Sequence, residues 1–322
     1  MPQLRKDPIV SRWVIIATER ARRPAAFFDP MVVNTQKEGC PFCQDTASTQ
    51  LLSYESVCVV KSGTPVFTGS VDVTLRKDGL YQSCHSHGSH EVVIETPEHI
   101  ANMADLSLEQ IRAVFKTYAL RMWHHHQDLS IKYVLAYKNY GVAAGSRNIG
   151  HARSQIMAIP VLPMRVQDKI NGAKLYFNFH ERSLFYDLVR QEQKEKERIV
   201  LESDNFIAFC PFAARFPFEV WVVPKNKHQY YDYVHGIKGL ETELASVMKT
   251  LLLKYKAGLN DPAYNYVIQS APFNMDMPEC YSWHIELLPR LTRTAGFERG
   301  NGFYINPIPP EMTAAYLREV KV

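Results

Sequence analysis

The sequence predicts an α+β fold made of two tandem halves, each an antiparallel sheet with flanking helices. Three observations lead there. The order helix, strand, polar loop, strand occurs twice along the 322 residues. A strand-like run ending in Pro and a His-bearing loop also occurs twice, as His90 to His99 and as Phe218 to Pro224 with His228 close behind. Consecutive strands are joined by hairpin-like connections, which favours antiparallel pairing over a doubly wound parallel sheet. The chain is long enough for two domains of ordinary size, divided here as 1–164 and 165–322.

Taken in order, the chain first offers Cys40-Pro41-Phe42-Cys43 after a polar stretch. Two thiolates at this spacing can share one Zn²⁺, although redox pairs and chance pairs use the same spacing. Cys58, Cys84, Cys210 and Cys280 are scattered and read as ordinary small residues. His85, His87 and His90 cluster beside Cys84 and read as a polar loop rising into the His90 strand.

Ser107, with Gln110 three residues on, opens a helix in capping-box style. Ile111, Val114, Phe115, Tyr118, Ala119 and Met122 then form its apolar face. The matching helix covers about Leu240 to Tyr255, with Leu244, Val247, Met248, Leu251 and Leu252 on one side. Strands follow at Tyr133 to Tyr137 and at Tyr264 to Gln269, and a last strand in each half carries His151 or His284. Arg165 to Arg198 is helix-rich, and its charge run QEQKEKER reads as a solvated helix face. Gly296 to Pro310, rich in Gly and Pro, reads as a long ordered loop.

The chemistry concentrates between Asn139 and Pro160, NYGVAAGSRNIGHARSQIMAIP. Gly141 and Gly145 lack a Cβ and let backbone N–H groups come close to a phosphate. Asn139, Ser146, Ser154 and Gln155 are neutral donors of the kind that stabilise charge developing on phosphoryl oxygens. A net charge of +4 without a basic tail argues against nucleic acid as partner. No apolar run approaches the roughly 18 residues of a membrane span, and the N-terminus has no apolar signal core, so a cytoplasmic enzyme is expected.

This segment resembles the active-site segment of the galactose-1-phosphate uridylyltransferase family, within the histidine-triad superfamily. The likeness extends to Leu4–Ile16, to Cys40–Cys43 and to Trp283–Pro307. Phe212–Glu219 and Gly302–Pro307 carry a likeness to the ADP-glucose phosphorylase side of the family.

The resemblance implies a two-fold repeat of the histidine-triad fold, a homodimer, and transfer of a nucleoside monophosphate between phosphate-type acceptors. It implies one structural Zn²⁺ held by Cys40, Cys43, His99 and His151. It also implies phosphate contacts from Asn139, Gly145, Ser146, Ser154 and Gln155. The family reads His-x-His-x-Gln where this chain has His151-Ala152-Arg153-Ser154-Gln155, and its second His is the nucleophile. That position is Arg153 here. A guanidinium stays protonated and is a very poor nucleophile, but it can clamp phosphate or sulfate.

Three readings stay open. A one-residue insertion between Gly145 and Gln155 moves His151 into the nucleophile's role. Alternatively, Arg153 stabilises a direct in-line attack, or the chain is a silent nucleotide binder. Direct displacement is favoured, with His151, Arg153 and Gln155 as the catalytic set. The first choice of reaction is AMP transfer from adenylylsulfate to phosphate. ADP-glucose phosphorylase or UDP-glucose–hexose-1-phosphate uridylyltransferase is the alternative. Where the family has a nucleotide-contacting Asn, this chain has Lys61-Ser62-Gly63-Thr64-Pro65, so that contact is not carried over. The second half reads as a decayed copy without a metal of its own, with Glu286 facing Arg153 as an ion pair.

Overall fold

The computed structural model describes residues 1–20, 36–44, 47–69, 74–147, 149–226, 228–275 and 279–322. In chain order the elements are β1 (Gln3–Lys6), β2 (Trp13–Ile16), β3 (Gln50–Tyr54), β4 (Val57–Lys61), β5 (Arg76–Asp78), β6 (Tyr81–Ser83) and β7 (Ser89–Ile94). Next come α1 (Leu108–His126), β8 (Tyr133–Tyr140), β9 (Arg153–Ile159), α2 (Met164–His180) and α3 (Leu184–Glu195). β10 (Ile199–Glu202), β11 (Phe206–Phe209), β12 (Val220–Pro224), α4 (Leu240–Gly258), β13 (Tyr264–Gln269) and β14 (His284–Pro289) follow. The chain ends with α5 (Gly296–Asn301), β15 (Tyr304–Asn306) and α6 (Pro310–Glu319).

One ten-stranded sheet organises the molecule, in the order β10-β11-β12-β14-β13-β8-β9-β7-β4-β3. Every ladder in it is antiparallel. The order is two similar five-stranded sets meeting where β8 pairs with β13, Asn139 opposite Asn265. The expected α+β architecture with an antiparallel sheet is what is found. Alternation then sorts the side chains. Ser154, Ile156, Lys138 and Tyr266 point to one face, where α1 and α4 bury the main core. Arg153, Gln155, Tyr137 and Asn139 point to the other. Over the second half that face is covered by α2 and α3, with Ile170, Phe185 and Val189 against Phe209 and Trp221. Over the first half those four side chains stay half-buried.

The local signals read from sequence are present in detail. Ser107 Oγ accepts the Gln110 N–H at 3.1 Å, capping α1. The box is only half made, because the Gln110 amide instead donates to the Glu95 carbonyl. Two expectations need correction. Gly296 to Pro310 is not a plain loop: it forms α5 and then β15, which pairs parallel with β2 and is held by the buried Asn306. Nor is the charge run simply a solvated face. Glu192 and Arg198 are both buried and bond to each other at 3.1 Å. Desolvation therefore falls on a pair rather than on lone charges, which is the condition for burying them.

Candidate active site and metal cluster

Backbone pairing brings the cluster together. Past the end of β7, the Glu95 N–H donates to the Ala152 carbonyl and the Ala152 N–H to the Ile100 carbonyl. The two segments are thereby zipped, with His99 beside His151 and their rings 5.4 Å apart. The Cys40–Cys43 turn closes with a Cys43 N–H to Cys40 carbonyl bond of 3.2 Å. Cys43 Sγ lies 3.3 Å from His99 Nδ1 and 3.3 Å from His151 Nδ1; Cys40 Sγ is 3.6 Å from His151 Nδ1.

Those separations fit a metal. Tetrahedral Zn²⁺ with bonds of about 2.3 Å to sulfur and about 2.0 Å to nitrogen has S···N edges of roughly 3.5 Å. All four donor atoms lie within 4.8 Å of one another. His151 Nε2 donates to the Thr96 carbonyl at 2.9 Å, which leaves Nδ1 as the lone-pair nitrogen facing the sulfurs. Burial, opposed by the Thr96 bond, pushes the His151 pKa down and favours the neutral ring that a ligand needs. Burial and then the neighbouring Cys40 push Cys43 up. A dication among them would reverse that tendency.

The glycine loop sits beside this cluster. Gly141 (φ 81°) and Gly145 (φ 87°) take backbone conformations that side-chain-bearing residues avoid. The amides of Ala144 and Ser146 bond back to the Gly141 carbonyl, and that of Gly145 to Val142. The amides of Ala144, Gly145 and Ser146 are thus spent closing the loop. A pocket remains between Asn139, Gly141, Ser146, Arg147, His151 and Arg153. Asn148 lies outside the described residues.

Arg153 is placed differently from a phosphate clamp. Nη1 donates to the Ile149 and His151 carbonyls at 3.1 and 3.3 Å. Nη2 donates to Ser146 Oγ at 3.1 Å and to the Arg147 carbonyl at 3.2 Å. Both terminal nitrogens are therefore turned onto the loop, and the guanidinium also sits 5.1 Å over the Phe42 ring of the Cys40–Cys43 turn. Burial lowers its pKa against the opposing pull of Glu95, and the group remains a cation.

The other site residues divide by face. Ser146 Oγ donates to the Arg147 carbonyl at 2.9 Å. Asn139 Oδ1 accepts from Asn265 Nδ2 at 2.7 Å. Gln155 shares the Arg153 face, two residues along β9. Ser154 alternates to the opposite face, 1% exposed, where its Oγ accepts from the Tyr118 hydroxyl at 2.5 Å.

The sequence placed His284 and Glu286 at the positions of His151 and Arg153, but the frame is shifted by two residues. β14 begins at His284 as β9 begins at Arg153, and the Trp283 N–H bonds to the His228 carbonyl as the Ala152 N–H does to that of Ile100. His284 therefore answers to Arg153 and Glu286 to Gln155. Lys169, on α2, donates to His284 Nε2 at 2.8 Å and also to Glu286. Arg215 holds the other Glu286 oxygen at 2.5 Å. Glu286 therefore does not pair with Arg153, as the duplicated frame suggested. Antiparallel strands separate the two positions, and cations from α2 and the 211–219 segment reach Glu286 first. His85, His87 and His90 also part company, turning to Arg76, Ser130 and Gln155 respectively.

A doubled antiparallel sheet with a glycine loop, a Cys₂His₂ cluster and neutral donors at one strand end defines a nucleotidyltransferase built from tandem repeats. The profile of the galactose-1-phosphate uridyl transferase N-terminal domain matches residues 1–163, and that of the C-terminal domain matches 169–300. ADP-glucose phosphorylase of Arabidopsis thaliana is 32% identical over all of this chain and 93% of its own length. Galactose-1-phosphate uridylyltransferase of Thermotoga maritima is 28% identical over 100% and 99%. The crystal structure of an Arabidopsis ADP-glucose phosphorylase with bound ADP-glucose superposes with a TM-score of 0.83 at 31% identity, each chain fully covered. The chain belongs to the galactose-1-phosphate uridylyltransferase family.

Proposed function

We propose that this protein transfers an adenylyl group to inorganic phosphate by single displacement, releasing ADP. The observation that carries the reading is Arg153 itself: a cation at the nucleophile's position whose terminal nitrogens already bond to the loop. His151 offers no substitute, since Nδ1 faces the two sulfurs and Nε2 the Thr96 carbonyl. With no side-chain nucleophile at the phosphorus among the described residues, the acceptor phosphate oxygen attacks directly. A new P–O bond forms as the bond to the leaving group breaks, and that group departs with the electron pair. Arg153 holds the loop and adds positive potential, while Asn139 and Gln155 supply neutral donors to the non-bridging oxygens. Ser154, on the far face, is left out of this set. Zn²⁺ in the Cys40, Cys43, His99, His151 cluster would supply structure, with no open coordination position.

The likeness to ADP-glucose phosphorylase supports adenine as base and glucose 1-phosphate as leaving group. Adenylylsulfate, which would release sulfate, is the second donor to test. Its case is that a good leaving group lessens the need for a covalent intermediate. By the family resemblance we also propose a homodimer, to be checked by light scattering after gel filtration.

The decisive experiment is incubation with phosphate and either ADP-glucose or adenylylsulfate, with UDP-glucose plus galactose 1-phosphate alongside. ADP should appear with sequential kinetics, and intact mass spectrometry should find no nucleotide on the protein. A covalent adduct, or turnover of the uridine pair alone, would overturn the proposal. Silence in every tube would favour the nucleotide-binding reading.

A further inference from the structure

We propose that His90 and Tyr137 are positioning residues, fixing the Gln155 side chain with its amide nitrogen turned toward the transferred phosphoryl group. This rests on the reading of Gln155 as a phosphoryl-contacting donor.

Gln155 Oε1 lies 2.8 Å from His90 Nε2 and 2.9 Å from the Tyr137 hydroxyl. The two ends of a glutamine amide differ only in what they can bond, so the network has to decide between them. Here a backbone group decides. The Val66 N–H reaches His90 Nδ1 at 3.3 Å, and a peptide N–H can only donate. Nδ1 therefore carries the lone pair. The neutral ring then carries its proton on Nε2, and the Gln155 atom facing that proton must be the oxygen. Burial pushes the Tyr137 phenol up to about 12, so it stays protonated and serves as the second donor.

Two donors saturate the two lone pairs of the amide oxygen. The NH₂ group is left over, and among the described residues no acceptor is recorded for it. Gln155 lies on the same sheet face as Asn139 and Arg153, which line the pocket at the glycine loop. An NH₂ presented there stabilises charge growing on phosphoryl oxygens, whereas a flipped amide would present oxygen to an anion. His90 also accepts the Ser62 N–H at its carbonyl, at 2.9 Å. The Lys61–Pro65 stretch, where the family's nucleotide-contacting Asn is not matched, thus abuts His90, and the adjoining Val66 N–H sets the tautomer that orients Gln155.

The test is a double-mutant cycle on the full-length protein, using the nucleotide donor it turns over. His90→Phe should lower kcat about tenfold, the worth of one lost hydrogen bond at a reacting centre, with the donor KM nearly unchanged. His90→Gln, which returns an N–H near the Nε2 position, should recover most of the loss. In a Gln155→Ala background His90→Phe should cost nothing further. A full tenfold loss in that background overturns the proposal.

A second measurement is independent of turnover. The Gln155 side-chain amide signals in ¹⁵N-labelled protein, assigned by their absence in Gln155→Leu, should shift and broaden in His90→Phe and return in His90→Gln. Signals that do not move overturn the positioning role. A wild-type protein that turns over no nucleotide, while these signals move as expected, sinks the proposed function and leaves the His90–Gln155 coupling standing.

Discussion

The two halves of the sheet each carry a histidine near the start of corresponding strands, His151 two residues before β9 and His284 first in β14, and give it opposite surroundings. His151 in the first half turns Nδ1 to two cysteine sulfurs, in a donor set that fits a metal cation. His284 in the second half turns Nε2 to Lys169, an internal cation that also holds Glu286. Trp221 stacks over that ring at 4.9 Å, and Arg215 closes the network. Corresponding strand starts therefore carry either a cluster of metal-type donors or a closed ion-pair network. The choice depends on which segment packs across each: the Cys40–Cys43 turn on one side, α2 on the other.

The sharpest way to break this comparison is to remove a sulfur. Cys43→Ala should lose bound zinc and, with it, stability on the order of 5 kcal/mol or more, because structural zinc binding is coupled to folding. His284→Ala should keep its zinc. Metal content by plasma emission spectrometry and melting by calorimetry read both, and full zinc in Cys43→Ala would falsify the first-half cluster.

Removing the second half's internal cation should have the next largest effect. Lys169→Met leaves the buried Glu286 with Arg215 as its remaining partner beside His284. A loss of about 3–5 kcal/mol is expected in chemical denaturation, with zinc content unchanged. A near-neutral result would show that the network adds little to this half's stability.

Acid provides a third probe. Burial, then the Lys169 charge, push His284 down to about 4 from its usual 6.5. A histidine held neutral in the fold contributes stability that is fully present above pH 6.5 and fades as pH falls toward 4, about 3 kcal/mol at most. Replacement by Phe should flatten that stretch of the stability–pH curve. In the first half Glu91 behaves otherwise. Burial alone would raise it, but Arg121 and His125 outweigh that and hold it down to about 2. Its contribution persists to lower pH, fading only from about 4.5 toward 2, so the second half should loosen first on acidification. Simultaneous loss of both halves near pH 6 would contradict this order.

The smallest stability change belongs to Arg153→His, which surrenders the hydrogen bonds to the loop for about 1–2 kcal/mol. It also restores a family-like triad. Mass spectrometry should then find an acid-labile nucleotide adduct absent from the wild type. If neither protein forms one, Arg153 is not what suppresses the covalent route.

Much of the fold was legible because its signals repeat at short range. Strand alternation, the Ser107 cap, the apolar stripes of α1 and α4 and the duplicated element order depend on neighbours a few residues apart. The metal cluster was legible once the Cys40–Cys43 spacing was joined to the family likeness. The glycines flagged the loop, since both take φ near +85°. Less visible was the role of His90. The sequence placed it beside other histidines, and only the alternation of β7 and its pairing with β9 put it on the face of Gln155.

By itself, then, the sequence determined the repeated helix, strand, loop, strand order of the two halves, the family, and an arginine where the family likeness places a nucleophilic histidine. The tertiary structure alone decided where the polar groups point. Arg153 spends its terminal donors on the loop, Glu286 answers to Lys169 and Arg215, Ser154 faces the core, and His90 orients Gln155 across 65 residues of chain. The physical reason is that a hydrogen bond is satisfied by whichever group register and packing bring within about 3 Å. Spacing along the chain carries no record of that choice.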